Sequence, residues 1–154
     1  MKLTAFTDYS LRVLIYVAAC PDRRTTIAEI ADAFGISHNH LMKVVQTLGH
    51  HGWLATTRGR HGGLSLAVAP EAIVVGDVVR AVEGESAPVE CFGRGRCAIA
   101  RACRLRGVLA EAMRAFHAVL DRCTLADLVA GDDALVALLF RDRNAPAALP
   151  GAAR

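Results

Sequence analysis

The hydrophobic pattern of residues 26–68 changes from the helical period to the strand period, and this change restricts the fold more than any other feature. Thr26-Ile-Ala-Glu29 is a capping box that begins a short helix, which ends at Gly35. Ser37 caps a second helix, which continues to about His51. Two helices joined by so short a turn are a helix-turn-helix. The second helix keeps its apolar residues at helical spacing: Leu41, Val44, Val45 and Leu48.

After Trp53 the sequence alternates in the way that a β-hairpin does. Residues 54–58 and 64–68 have the strand period, and Gly59-Arg60-His61-Gly62-Gly63 forms a basic, glycine-rich tip between them. A helix-turn-helix followed by such a hairpin is a winged helix, whose second helix enters the major groove of DNA while the wing touches the backbone or the minor groove. The alternative is a small α+β domain with an incidentally basic loop.

The charge distribution favours a nucleic-acid partner more than the net charge does. The net charge is only +3, but no Asp or Glu occurs between Asp32 and Glu71, an interval that contains five of the six histidines. A long acid-free stretch is typical of a surface that approaches phosphates. The residues that we expect to contact DNA are His38, Asn39, His40 and Lys43 on the second helix and Arg58, Arg60 and His61 on the wing.

Three of the five cysteines, Cys91, Cys97 and Cys103, are spaced six residues apart. On one helix neighbouring thiols at this spacing would point about 240° apart. On one strand they would lie about 20 Å apart. Thiols that share a ligand therefore need a chain that wraps, which Gly93 and Gly95 permit. An odd number of cysteines in a reducing compartment favours metal or redox chemistry over disulfides.

The spacing leaves two kinds of metal centre open. Structural zinc sites usually contain a pair of cysteines about two to four residues apart, and these three cysteines include no such pair. An iron–sulfur cluster accepts cysteines on different irons and leaves a position for another ligand. The surrounding arginines can offset the negative charge of a thiolate-bound cluster; they are Arg94, Arg96, Arg101 and Arg104.

Residues 105–123 form a long amphipathic helix, whose apolar residues alternate in steps of four and three. A helix of this length spans about 28 Å, which is more than so small a domain needs to cover its own core. A partner helix in a homodimer explains the length, and a twofold dimer also matches two half-sites on DNA. Packing on the core of the same chain is the alternative. Thr124-Leu-Ala-Asp127 caps a further short helix.

The predicted fold is mainly α with a small β-hairpin, in which a winged helix-turn-helix DNA-binding domain precedes a long dimerisation helix. We divide the chain into a DNA-binding domain (1–83), a cysteine-rich cluster-binding loop (84–104), a dimerisation helix with a C-terminal helix (105–140) and a disordered tail (141–154). The first helix, from Thr7 to Cys20, contains Asp8 and Arg12. It therefore fits neither a signal peptide nor a membrane span, which predicts a cytoplasmic protein without a membrane partner.

Other functional classes fit the sequence less well. An electron carrier would need the cluster but not the acid-free winged helix. A zinc-stabilised or thiol-switch regulator would keep the DNA-binding half but would be colourless. An enzyme is disfavoured because the sequence has no recognisable nucleophile–base pair, phosphate loop or paired carboxylates.

Several parts of residues 1–140 together resemble the nitric-oxide-sensing repressors among the bacterial winged-helix iron–sulfur regulators, a family that also includes IscR. They are Leu3-Thr-Ala-Phe-Thr-Asp-Tyr-Ser-Leu-Arg-Val-Leu, Gly35-Ile-Ser-His-Asn-His-Leu, Arg58-Gly-Arg-His-Gly-Gly, the evenly spaced cysteines and Cys123-Thr-Leu-Ala-Asp-Leu-Val. The resemblance implies a homodimer that leaves promoter DNA when nitric oxide attacks a 4Fe–4S cluster.

The resemblance also implies the cluster ligands, which are Cys91, Cys97 and Cys103 of one subunit and Asp8 of the other. Without the resemblance, an acid in a first helical turn is explained by the helix dipole. IscR-type proteins use a histidine soon after the third cysteine, whereas this chain has Gly107 nearby. The difference disfavours the alternative, an IscR-like regulator that senses iron–sulfur status or redox state through a 2Fe–2S cluster.

Overall fold

The structure is a computed structural model that describes residues 3–59, 62–84, 92, 99, 103–131 and 133–140. The predicted fold class, mainly α with one two-stranded antiparallel hairpin, is confirmed. The elements, in chain order, are α1 (Ala5–Ala18), α2 (Ile27–Phe34), α3 (His38–His50), β1 (Leu54–Thr57), β2 (Gly63–Leu66), α4 (Val75–Glu83), α5 (Arg104–Leu120), α6 (Leu125–Val129) and α7 (Asp133–Leu139). A 3₁₀ turn, Pro70–Ala72, precedes α4.

Helix α1 lies at the centre of the structure, because α3, α4, α6 and β2 all pack against it. Its side chains Val13 and Leu14 are fully buried. The helix begins two residues earlier than the sequence predicts, since Thr4 rather than Thr7 is close to its start: the Thr4 hydroxyl accepts a hydrogen bond from the Thr7 amide at 3.2 Å. The largest buried apolar side chains around α1 are Ile30, Leu41, Leu48, Ile73 and Leu125.

Local capping defines the helix-turn-helix, as the sequence predicts. The Thr26 hydroxyl accepts from the Glu29 amide at 3.2 Å, and the Glu29 carboxylate accepts from the Thr26 amide at 2.6 Å. Gly35 ends α2 with a φ of 64°, a left-handed conformation that glycine adopts without a steric penalty. The Ser37 hydroxyl then caps α3 by accepting from the His40 amide. The two helices therefore have defined ends on both sides of the turn.

The hairpin is attached to the helix-turn-helix by its second strand. Strands β1 and β2 pair antiparallel with Leu54 opposite Leu66 and Thr57 opposite Gly63. Leu64 is buried, and its backbone exchanges two hydrogen bonds with Thr25, at 2.7 and 3.1 Å. The residue that precedes the α2 cap thus holds β2, which joins the hairpin to the start of α2.

The start of α4 is joined to the end of α5. The Val75 amide donates to the Cys123 carbonyl at 2.9 Å, and the Arg80 guanidinium contacts the Asp121 carboxylate at 2.7 Å. A Cβ atom at Gly76 would collide with the Asp121 carboxylate, so a larger residue there would require this side chain to move away from the start of α4. These contacts explain why α5 ends at Leu120 and not at Cys123 as predicted, because the backbone of 123–125 pairs with α4 instead.

The C-terminal part contains one helix more than the sequence analysis resolved. Helix α7 follows α6, and after it the Phe140 ring packs against Tyr16 of α1 with centroids 4.9 Å apart. The predicted capping box of α6, Thr124 with Asp127, is present. The predicted disordered tail, 141–154, lies outside the described residues.

Replacing Thr26 by alanine should lower the free energy of unfolding by about 1 kcal/mol, because the N-terminal amides of α2 lose their capping acceptor. Thr26→Ser keeps the hydroxyl and should lose much less. Urea unfolding followed by circular dichroism measures both variants. Equal losses in the two variants would contradict the capping role.

Candidate nucleic-acid interface and metal-binding residues

Helix α3 has one buried face and one exposed face. Leu41, Val44, Val45 and Leu48 are buried against α1, α2 and the hairpin. The predicted DNA contacts on this helix are all exposed at its N-terminal half: His38, Asn39, His40 and Lys43. An amphipathic helix that buries one face on its own domain leaves the other for a partner, as a recognition helix must.

The same exposed face contains two residues that the sequence analysis missed. The Met42 side chain is 52% exposed, and Gln46 is exposed one turn further along. Both are three residues after a predicted contact, Asn39 and Lys43 respectively, and this helical spacing is the signal that would have identified them. The exposed face of α3 therefore extends over three turns.

Of the three wing residues that we predict to contact DNA, the structure describes one. Arg58 is exposed directly after β1. Gly59 follows it with a φ of 108°, and the Gly62 amide donates to the Gly59 carbonyl at 2.9 Å, which closes the turn. Arg60 and His61 lie outside the described residues.

Asp8 lies at the surface in the first turn of α1. Its two carboxylate oxygens contact the Arg12 guanidinium at 3.0 Å each, and the side chains of Asp8 and Arg12 are 47% and 43% exposed. The Arg12 guanidinium also lies over the Phe34 ring of α2, 5.5 Å from the ring centroid. Asp8 therefore presents a carboxylate that a second chain can reach.

Tyr9, which follows Asp8 in the sequence, contacts helix α3. The Tyr9 ring lies against the His40 ring of α3, with centroids 6.2 Å apart and planes inclined by 33°. Helices α1 and α3 also pack against each other along their lengths. The N-terminal ends of the two helices are therefore in contact.

Of the three predicted cysteine ligands, the structure describes Cys103. It is a half-buried free thiol that directly precedes α5. Cys91 and Cys97 lie outside the described residues. Phe92, which follows the first of them, has the Arg106 guanidinium 5.9 Å from its ring centroid, so Phe92 contacts the first turn of α5.

The donor atoms present fit an iron–sulfur cluster in chemical type. Thiolate sulfur is the ligand that iron–sulfur clusters prefer, and a carboxylate oxygen is a weaker ligand for the remaining position. Cys103 lies at the N-terminal end of α5, where the helix dipole favours anionic ligands. Among the described residues no three His, Cys, Asp or Glu side chains are grouped closely enough to hold a metal.

No helix within the described ranges combines the length and the apolar character that crossing a membrane requires.

Comparison with protein families gives a match over most of the chain. Residues 3–131 match the model of the Rrf2 family, which is described as an iron-dependent transcriptional regulator. The HTH-type transcriptional regulator NsrR of Bacillus subtilis is 49% identical over 142 residues, which cover 90% of this chain and 97% of that protein. NsrR of Shouchella clausii is 46% identical over 142 residues, covering 90% of this chain and 95% of that protein.

Solved structures show the same architecture. CymR of B. subtilis, described as the global cysteine regulator, has a TM-score of 0.69 and 30% identity, over 84% of this chain and 96% of that chain. IscR of T. potens also has a TM-score of 0.69, with 25% identity, over 84% of this chain and 86% of that chain.

The Asp8→Asn substitution should lower the free energy of unfolding of the iron-free protein by less than about 1 kcal/mol. The lost ion pair is an exposed i,i+4 pair, and the lost charge is a surface charge at a helix N-terminus, each of which contributes only a fraction of this amount. Urea unfolding of the metal-free protein measures the change. A loss of several kcal/mol would mean that Asp8 is mainly a structural residue.

Proposed function

The chain belongs to the Rrf2 family of transcriptional regulators, and we propose that it is a homodimeric repressor that senses nitric oxide through a 4Fe–4S cluster and leaves promoter DNA when the cluster is nitrosylated or lost. Its relatives named NsrR are HTH-type transcriptional regulators, so the chain is a DNA-binding regulator and not an enzyme. The DNA partner supports a cytoplasmic location.

The proposed DNA surface combines α3 with the wing. The exposed N-terminal half of α3 supports a position in the major groove, and the absence of carboxylates between 32 and 71 supports an approach to phosphates. Arg58 extends this surface at the base of the wing. The proposed contacts are His38, Asn39, His40, Lys43, Arg58, Arg60 and His61.

The proposed cluster ligands are Cys91, Cys97 and Cys103 together with Asp8 of the partner subunit. The thiolate spacing and the half-buried Cys103 thiol at the start of α5 support the three sulfur ligands. The surface position of the Asp8 carboxylate supports the fourth. When bound, such a cluster supplies iron that reacts with nitric oxide.

An exposed apolar side of α5 supports the homodimer. None of its 17 residues is buried, and Leu105, Val108 and Val119 are 60%, 61% and 57% exposed. A helix with so many uncovered apolar side chains gains stability when a second copy covers them. The proposed division of the chain therefore assigns 105–140 to dimerisation, 84–104 to the cluster and 1–83 to DNA.

One observation supports the proposal most strongly: helix α1 contains the candidate ligand Asp8 and also contacts the candidate DNA-binding helix α3. Asp8 is in its first turn, and the adjacent Tyr9 ring lies against His40 of α3. A metal bond to Asp8 would hold this turn in one orientation, and release of Asp8 would free it to adopt another. Coupling of this kind requires that the two states differ in DNA affinity.

Nitric oxide should weaken DNA binding of the anaerobically reconstituted protein by roughly 5- to 150-fold, the usual range of coupling between two sites. Binding is measured by fluorescence anisotropy, using a duplex that the iron-loaded protein has selected from a random library. Cys97→Ser should take up less cluster, as judged by iron analysis and visible absorption, and should not respond to the gas.

Cys20→Ser is the control, since Cys20 lies in the turn after α1 and is not a proposed ligand. It should keep both the cluster and the response. Equal DNA affinity before and after nitric oxide would refute the sensing mechanism. A 2Fe–2S spectrum would refute the 4Fe–4S assignment and support the IscR-like alternative.

Lys43→Gln should weaken DNA binding and reduce the slope of log affinity against log salt concentration by about 1, because one phosphate contact is lost. Arg122→Gln removes the same charge from the exposed turn after α5 and should leave the slope unchanged. Both are measured by anisotropy between low and moderate salt. An unchanged slope for Lys43→Gln would remove this residue from the proposed surface.

A further inference from the structure

The carboxylate of Glu83 joins two distant parts of the chain. Glu83 is the last residue of α4, and its Oε1 atom accepts hydrogen bonds from the Thr4 amide and from the Thr7 hydroxyl, both at 2.6 Å. Thr7 is fully buried, whereas Glu83 is half-buried. The two bonds connect residues that are 79 and 76 positions apart in the sequence.

The two threonines and the carboxylate form one closed hydrogen-bond network. The Thr7 hydroxyl has a single hydrogen, which it donates to Glu83. The 3.0 Å contact between the two hydroxyls must therefore use the Thr4 hydroxyl as donor and the Thr7 oxygen as acceptor. The Thr4 oxygen in turn accepts from the Thr7 amide. The chain of hydrogen bonds therefore ends at the Glu83 Oε1 atom, which the Thr4 amide and the Thr7 hydroxyl contact directly and the Thr4 hydroxyl contacts through Thr7.

The network favours an ionised carboxylate. Burial raises the pKa of Glu83, but the hydrogen bonds from Thr7 and Thr4 outweigh burial, so the pKa lies below its ordinary value. Hydrogen bonds to an ionised acceptor are about twice as strong as those between neutral groups. The interaction between Glu83 and the first turn of α1 is therefore present at neutral pH.

The network is adjacent in sequence to both sets of proposed cluster ligands. Thr7 directly precedes Asp8, the candidate ligand for the partner subunit's cluster. Glu83 and Gly84 directly precede residues 85–90, which lead to Cys91. One carboxylate thus bonds to the turn that contains Asp8 and belongs to the residue that ends α4, two positions before the segment that leads to Cys91.

We propose that Glu83 is a positioning residue for the cluster, which holds the first turn of α1 against the end of α4 and so slows cluster loss. This inference rests on the proposed function. In this proposal Glu83 acts through the hydrogen bonds that its Oε1 atom accepts from the two threonines, and not as a ligand. Residues that orient metal ligands typically change metal affinity by about 10- to 100-fold when they are replaced.

The test measures how fast the reconstituted protein loses its visible absorption after an iron chelator is added under anaerobic conditions. Glu83→Ala should lose the cluster about 10- to 100-fold faster than the unchanged protein. Glu83→Gln keeps an acceptor oxygen of the same size without its charge, and its rate should lie between the two. Glu71→Gln removes an equal charge from the exposed 3₁₀ turn and should lose the cluster at the unchanged rate.

A second readout needs no cluster. In the iron-free protein, Glu83→Ala should speed amide hydrogen exchange at Thr7 and Asp8, whose amides bond to Thr4, while α3 stays protected. Thr26→Ala controls for general destabilisation, because it removes a cap from α2 and leaves the Glu83 network intact. Faster cluster loss in Glu83→Ala than in Thr26→Ala supports positioning.

The possible failures are distinguishable. If the unchanged protein takes up no iron–sulfur cluster, the proposed function fails, and the role of Glu83 fails with it. If the unchanged protein holds a cluster and Glu83→Ala loses it no faster than Thr26→Ala, only the role of Glu83 is refuted.

Discussion

Helix α1 is packed against four other elements, and the rest of the structure depends on this burial. Its apolar side, on which Val13 and Leu14 are fully buried, packs against α3. Its first turn is held by Glu83 from the end of α4. Helix α1 thus joins the end of α4 to α3 within one core.

The same helix links the proposed cluster ligand Asp8 to the proposed DNA contacts on α3. The Asp8 carboxylate faces outward at one end of α1, where a second subunit can reach it, and Tyr9 beside it touches His40. No separate linker or hinge domain is needed between the two proposed sites. Because α5 leaves its apolar side uncovered, the same chain also offers the surface that would bring a second copy to Asp8.

Local signals predicted most of the fold correctly. The capping residues Thr26, Ser37 and Thr124 and the glycine at 35 specify helix ends through contacts within a few residues, so the sequence alone reveals them. The predicted C-terminal end of α5 was wrong because a long-range contact replaced the local one. Helix α5 stops at Leu120 because the backbone of Cys123 accepts a hydrogen bond from Val75, which is 48 residues earlier in the chain.

The sequence by itself determined the winged helix-turn-helix, the interval 33–70 without carboxylates and the cysteine spacing, because periodicity, capping and charge are properties of neighbouring residues. Only the tertiary structure decided that Thr7 bonds to Glu83, that Tyr9 touches His40 and that Asp121 packs on Gly76. These contacts join residues 31 to 76 positions apart, and only the folded core brings such residues within bonding distance.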